Sequence, residues 1–111
     1  MVINMSSETP LVCNMNVFTK VERARHIGGT RRLFQSVQAV QAAENGFEFT
    51  LRSEGDAVVR IGEFIARERL CCPFLKFTLI IESEAKPISL YLSGPKGTKE
   101  FLREEFSEVF A

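Results

Sequence analysis

The sequence predicts an α+β domain: two α-β-β units whose four strands form one antiparallel sheet, with helices packed on it and a further helix at the C-terminus. Three observations carry this reading. Phe47, Phe49 and Leu51 alternate with Glu48 and Thr50, the pattern of a half-buried strand. The strands come in pairs joined by short polar turns, Glu44-Asn45-Gly46 and Ser83 to Pro87, which makes each pair a hairpin and its pairing antiparallel. A helical stretch precedes each hairpin, and another closes the chain.

Residues 1–10 mix Ser, Asn, Glu and Thr without a period and are expected to form a flexible leader, leaving 11–111 as a single α+β domain. Leu11 to Val17 reads as extended and carries Cys13. Thr19 then opens a helix, because Thr19-x-x-Glu22 is a capping box in which two side chains satisfy orphan amides. That helix is predicted to run to about Gln35 with Ala24, Ile27, Thr30, Leu33 and Phe34 as its buried stripe. Gly28-Gly29 weakens its middle or admits another backbone. Val37 to Ala43 and Phe47 to Arg52 form the first hairpin, and Asn-Gly supplies the positive φ that the turn needs.

The second helix is predicted from about Asp56 to Cys72, with Val58, Ile61, Phe64 and Ile65 on its apolar face, and Pro73 stops it by removing a donor. Phe74 to Glu82 and Ile88 to Ser93 form the second hairpin, Leu75, Phe77, Leu79 and Ile81 filling one face opposite Ile88, Leu90 and Leu92. Gly94-Pro95-Lys96-Gly97 breaks the chain before the closing helix, Thr98 to Phe110, whose stripe is Phe101, Leu102, Phe106 and Val109. It covers the sheet or meets a second subunit.

With 111 residues, 45% of them hydrophobic and 25% charged, the chain has the composition of one ordinary globular domain. Ten Phe against one Tyr and no Trp point to an interior filled by ring packing. A formal net charge of zero gives no overall pull toward nucleic acid or an anionic membrane, so neither is expected as a partner. No apolar run is long enough to span a bilayer. The N-terminal residues lack a basic region and an apolar stretch, so no secretory signal is read there and a cytoplasmic location is expected. In that compartment thiols stay reduced, and three Cys is an odd number, so the cysteines are expected as thiols outside any disulfide framework.

The chemistry concentrates in Glu68-Arg69-Leu70-Cys71-Cys72-Pro73-Phe74. Glu68, Cys71 and Cys72 stand at i, i+3 and i+4, so both thiols reach the carboxylate one turn away. Glu68 follows Phe64 and Ile65 by four and three residues, which sets a carboxylate at the edge of the apolar face, where it needs a partner. Arg23, Arg25, Arg31 or Arg32 of the first helix is the expected donor. If the N-terminal extended piece passes the end of the second helix, Cys13 completes a three-thiol set. Cys13, Cys71 and Cys72 with Glu68 could then hold a soft divalent metal ion, with His26 a substitute nitrogen ligand. The spacing is not that of a zinc finger.

The vicinal thiols have two other readings. Free cysteine is among the most buried residue types, so the pair can be plain packing. Two of the three can also cycle through a disulfide. The carbonyl end of a helix disfavours a thiolate, which argues against reactivity. Elsewhere, His26 alone reads as structural, and the arginines of the first helix as a solvated face with anion binding as the alternative. Gly94-Pro95-Lys96-Gly97-Thr98 could rest an anion but lacks the phosphate-loop pattern. No Ser-His-Asp or paired-carboxylate arrangement points to an enzyme.

Glu68-Arg69-x-Cys71-Cys72-Pro73-Phe74, with Gly94-Pro95-x-Gly97-Thr98-Lys99-Glu100-Phe101, resembles an uncharacterised family of small bacterial proteins with a Cys-Cys-Pro-Phe signature. Glu22-Arg23-Ala24-Arg25-His26 and Arg31-Arg32-Leu33-Phe34 extend the resemblance over most of the chain after residue 11. The resemblance implies occurrence near metal-responsive regulators, which favours metal capture, and it marks Cys71, Cys72 and Cys13 as important without assigning them a reaction. The expected function is therefore soft-metal binding through a cysteine cluster, in a homodimer whose sheet edges are paired or covered. The alternatives are a thiol-redox protein or sensor and a regulatory module that meets a partner through its basic helix.

Overall fold

The computed structural model describes residues 11–110; the leader expected over 1–10 lies outside the described residues. A short 3-10 turn, Met15–Val17, leads into helix α1, Lys20–Phe34, then strands β1, Val37–Ala43, and β2, Gly46–Leu51. Helix α2, Ala57–Cys71, is followed by β3, Lys76–Ile80, and β4, Ile88–Ser93, and the chain closes with α3, Thr98–Glu105, and the single turn α4, Ser107–Phe110. The four strands form one antiparallel sheet in the order β1-β2-β4-β3. The two α-β-β units, the sheet and the C-terminal helix are those the sequence predicts. No helix among the described residues is long and apolar enough to cross a membrane.

Local chemistry explains most of the boundaries. Thr19 and Glu22 form the capping box reciprocally, Glu22 N to Thr19 Oγ1 at 3.1 Å and Thr19 N to Glu22 Oε1 at 2.8 Å. Asn45 takes φ 52 in the first turn, a conformation that Asn tolerates. Gly46 beside it is required for space, since a Cβ there would strike the Leu92 carbonyl of β4. The chain ahead of Pro73 leaves the helix at Cys72, whose N–H still donates to Glu68 O at 2.8 Å.

The helices cover one face of the sheet. Phe47, Phe49 and Leu51 of β2 and Ile88, Leu90 and Leu92 of β4 are buried against Leu33 of α1, Ile61 and Phe64 of α2, and Leu102 and Phe106 of α3. Phe34 joins these layers, edge-on to Phe49 and Phe64 and stacked on Phe106 with centroids 4.5 Å apart. The closing helix covers the sheet, as Phe110 meets Phe47 at 4.7 Å.

Four expectations are corrected. The stripe assigned to α1 holds in its second half, where Leu33 is buried and Thr30 and Phe34 half-buried, but in the first half Ala24 and Ile27 are exposed and His26 is buried in their place, because α1 packs on α2. Val58 of α2 is exposed. β3 is shorter than predicted and lies at the sheet edge, so Leu79 and Ile81 remain exposed where the helices no longer reach. The closing helix is not continuous: Phe106 takes φ −116 and separates α3 from α4.

Truncating Phe49, which is fully buried in this aromatic layer, should cost about 3–5 kcal/mol of unfolding free energy by denaturant titration, the range for an emptied core aromatic.

Candidate metal and thiol site

The last turn of α2 carries the site. The residues ahead of it, Ile61 and Phe64, anchor that helix to the core, so the same face presents Glu68 inward at 3% exposure and Cys71 at 1%. Cys72, the first residue past the helix, is fully buried. The N-terminal segment runs across this helix end, held by Asn14 N–H donating to Cys71 O at 2.7 Å, and so brings Cys13 over Cys72. One donor atom from each of Cys13, Glu68, Cys71 and Cys72 lies within 4.8 Å of all the others.

Within the cluster, Cys71 Sγ is 3.7 Å from Cys72 Sγ and 3.7 Å from Glu68 Oε1, and Cys72 Sγ is 3.2 Å from Glu68 Oε2. Cys13 and Cys72 stand at disulfide-bonding distance, their Cα atoms 4.4 Å apart, which leaves Cys71 as the free thiol. This corrects the expectation that all three are thiols. The odd count excludes a complete framework but not one bridge, and the crossing of the N-terminal segment supplies it.

The partner of Glu68 is also different from the one expected. Arg25, Arg31 and Arg32 are exposed, Arg23 is half-buried with its Nε unpaired among the described residues, and His26 of the same helix enters instead, its Nε2–H donating to Glu68 Oε1 at 2.7 Å. His26 is 3% exposed, seated between the Phe18 and Phe64 rings. Its Nε2 also lies 3.9 Å from Cys71 Sγ, so the histidine read as structural borders the cluster directly. Sequence spacing carried no signal for this contact, because it joins residues 42 positions apart.

The electrostatics are those of an acid pocket. Removal from water and the neighbouring Glu68 carboxylate push the Cys71 thiol up to about 12. The carboxyl of Glu105 on α3 is likewise pushed above the carboxylate range, first by loss of water and then by the charge of Glu68, with His26 opposing. A cavity of about 300 Å³ lies beside them, lined among others by His26, Thr30, Phe34, Glu68, Glu105 and Phe106.

Two outcomes follow. The native state keeps the Cys71 proton that an unfolded chain releases near 9.0, so this group leaves stability unchanged below that pH and lowers it as pH rises from there to about 12, measured by denaturant titration across that alkaline range. Replacing His26 with Ala leaves the buried Glu68 carboxylate without its donor and should lower stability by about 1–3 kcal/mol, whereas His26→Gln, which keeps an N–H, should recover part of it.

No protein-family model, curated protein or solved structure matches this chain, so the reading of its site rests on the geometry of these side chains.

Proposed function

We propose that the reduced protein binds a soft divalent metal ion through Cys13, Cys71 and Cys72, with Glu68 as the fourth donor. The convergence of four donor atoms within 4.8 Å carries this reading. Two of the separations suit a tetrahedral ion, while Cys72 and Glu68, at 3.2 Å, must open slightly. Zn–S bonds of about 2.3 Å give a sulfur–sulfur edge of about 3.8 Å, and a sulfur–oxygen edge of about 3.6 Å. The pairs Cys71–Cys72 and Cys71–Glu68 both measure 3.7 Å. Cys13 must draw back from Cys72 to the same spacing, so binding requires the bridge to be reduced first.

Charge supports the same reading. The acids that hold the proton on Cys71 would be stabilised by a divalent cation, which replaces the thiol protons and releases them to water. His26 would act as an outer hydrogen-bond donor that orients the ligating carboxylate. Equilibrium titration of the fully reduced protein with Zn²⁺ or Cd²⁺ tests the proposal, with one ion per chain as the expected result. The Cys71→Ser, Cys72→Ser double variant should lose binding by at least about a hundredfold, and stoichiometric binding by that variant would remove the proposal.

A second reading rests on the Cys13–Cys72 pair alone. In it the two thiols give up two electrons and two protons to a peroxide, the S–S bond forms, and the peroxide leaves as two waters. Thiol titration of reduced protein before and after mild peroxide should then fall from three reactive groups to the single Cys71 under denaturing conditions. Retention of all three would dismiss this reading.

A further inference from the structure

The sulfurs of Cys71 and Cys72 have almost no exposed surface, so an ion must reach them through some other group. The cavity of about 300 Å³ touches Glu68 and His26 but none of the three cysteines. Glu68 is thus the wall between the cavity and the sulfurs: Oε1 and Oε2 approach both Cys71 and Cys72, while the carboxylate also lines the cavity. The same cavity is also lined by Glu105, Glu108 and Arg31, all exposed, so that with Glu68 its three carboxylates outnumber one guanidinium.

We infer that this cavity is the access port of the metal site, in which Glu105 receives a divalent cation and passes it to Glu68, which delivers it to the thiols. The inference deepens the metal-binding reading and rests on it. The order of donors is chemically directional. An exposed carboxylate meets the hydrated ion as a hard oxygen donor, a buried carboxylate follows as water is stripped, and thiolates hold a soft ion at the end. Two further side chains of the lining carry a buried polar atom that is left unpaired. His26, 3% exposed, lines it with Nδ1 lacking a hydrogen-bond partner among the described residues, and Thr30 Oγ1, one turn along α1, is buried and equally without one. Neither is explained by packing alone, since their apolar neighbours, Phe34 and Phe106, offer them no bond.

The positions of Glu105 and Glu68 are fixed by separate elements. Glu105 ends α3 just before the break at Phe106, whose ring is stacked on Phe34 of α1. Ser107 opens α4 on the rim of the same cavity. The helix break that interrupts the closing helix therefore shapes the mouth of the port. The other approach to the sulfurs is past Cys13, which is half-buried, and the experiment separates the two routes.

The test is stopped-flow loading of the fully reduced protein with Cd²⁺ alone, followed by the thiolate-to-metal ultraviolet band, alongside the equilibrium stoichiometry. Glu105→Gln should reach the wild-type stoichiometry but load about tenfold more slowly, as loss of a guiding charge in a low-dielectric mouth predicts. Ser107→Phe, which narrows the mouth without changing its charge, should also slow loading. Glu104→Gln, exposed and outside the cavity lining, should load at the wild-type rate. Wild-type rates in Glu105→Gln or in Ser107→Phe would overturn the port, as would equal slowing by Glu104→Gln. A loss of stoichiometry in Glu105→Gln would make Glu105 a resident ligand and overturn it too. Wild-type protein that takes up no Cd²⁺ would instead remove the metal reading itself, and this inference with it.

Discussion

A carboxylate held out of water on the last turn of α2 governs how the surrounding elements meet. Glu68 follows Phe64 by one turn, so the helix that buries the phenylalanine must bury the acid as well. An acid in that position needs hydrogen bonds from every side. His26 supplies one from α1, and the thiols of Cys71 and, once reduced, Cys72 approach the remaining lone pairs. The register of α1 on α2 is therefore tied to a polar contact, and small or polar residues replace the apolar stripe that a helix lying on a sheet would carry.

The architecture was legible because it obeys local rules. Asn45-Gly46 marks the first turn, Thr19 and Glu22 start α1, and Pro73 stops α2 without reference to anything distant. What could not be read depends on contacts between remote residues. Ala24 and Ile27 have the spacing of a buried stripe, but α1 turns another face to α2, and only the pairing of the two helices decides that. Leu79 and Ile81 alternate as a buried strand should, yet β3 lies at the edge, a fact of strand order and not of composition. At the site, the i, i+3, i+4 spacing is sufficient to bring Glu68, Cys71 and Cys72 together. Cys13 required the path of the N-terminal segment, and His26 required the helix register.

Cys71 differs from its neighbour in how completely its surroundings oppose ionisation. It sits at the carbonyl end of α2, beside one carboxylate and within the field of another, with almost no water. A backbone hydrogen bond opposes this only weakly, coming after burial and both carboxylates, and His26 already serves Glu68. Such surroundings disfavour the thiolate, the form that attacks electrophiles. Cys13, on a half-buried segment, is the more approachable of the three.

The link between Cys13 and Cys72 spans 59 positions and encloses α1, the first hairpin and α2. Closing a loop of that size restricts the denatured ensemble by an amount on the order of 4 kcal/mol. A cross-link of this kind need not be covalent, because a metal ion gripped by the same two side chains would impose the same restriction on the unfolded chain. Oxidised and ion-loaded molecules would thus share one topology and similar resistance to unfolding. The reduced, ion-free chain would be the loose form, the one a cell's proteases meet first.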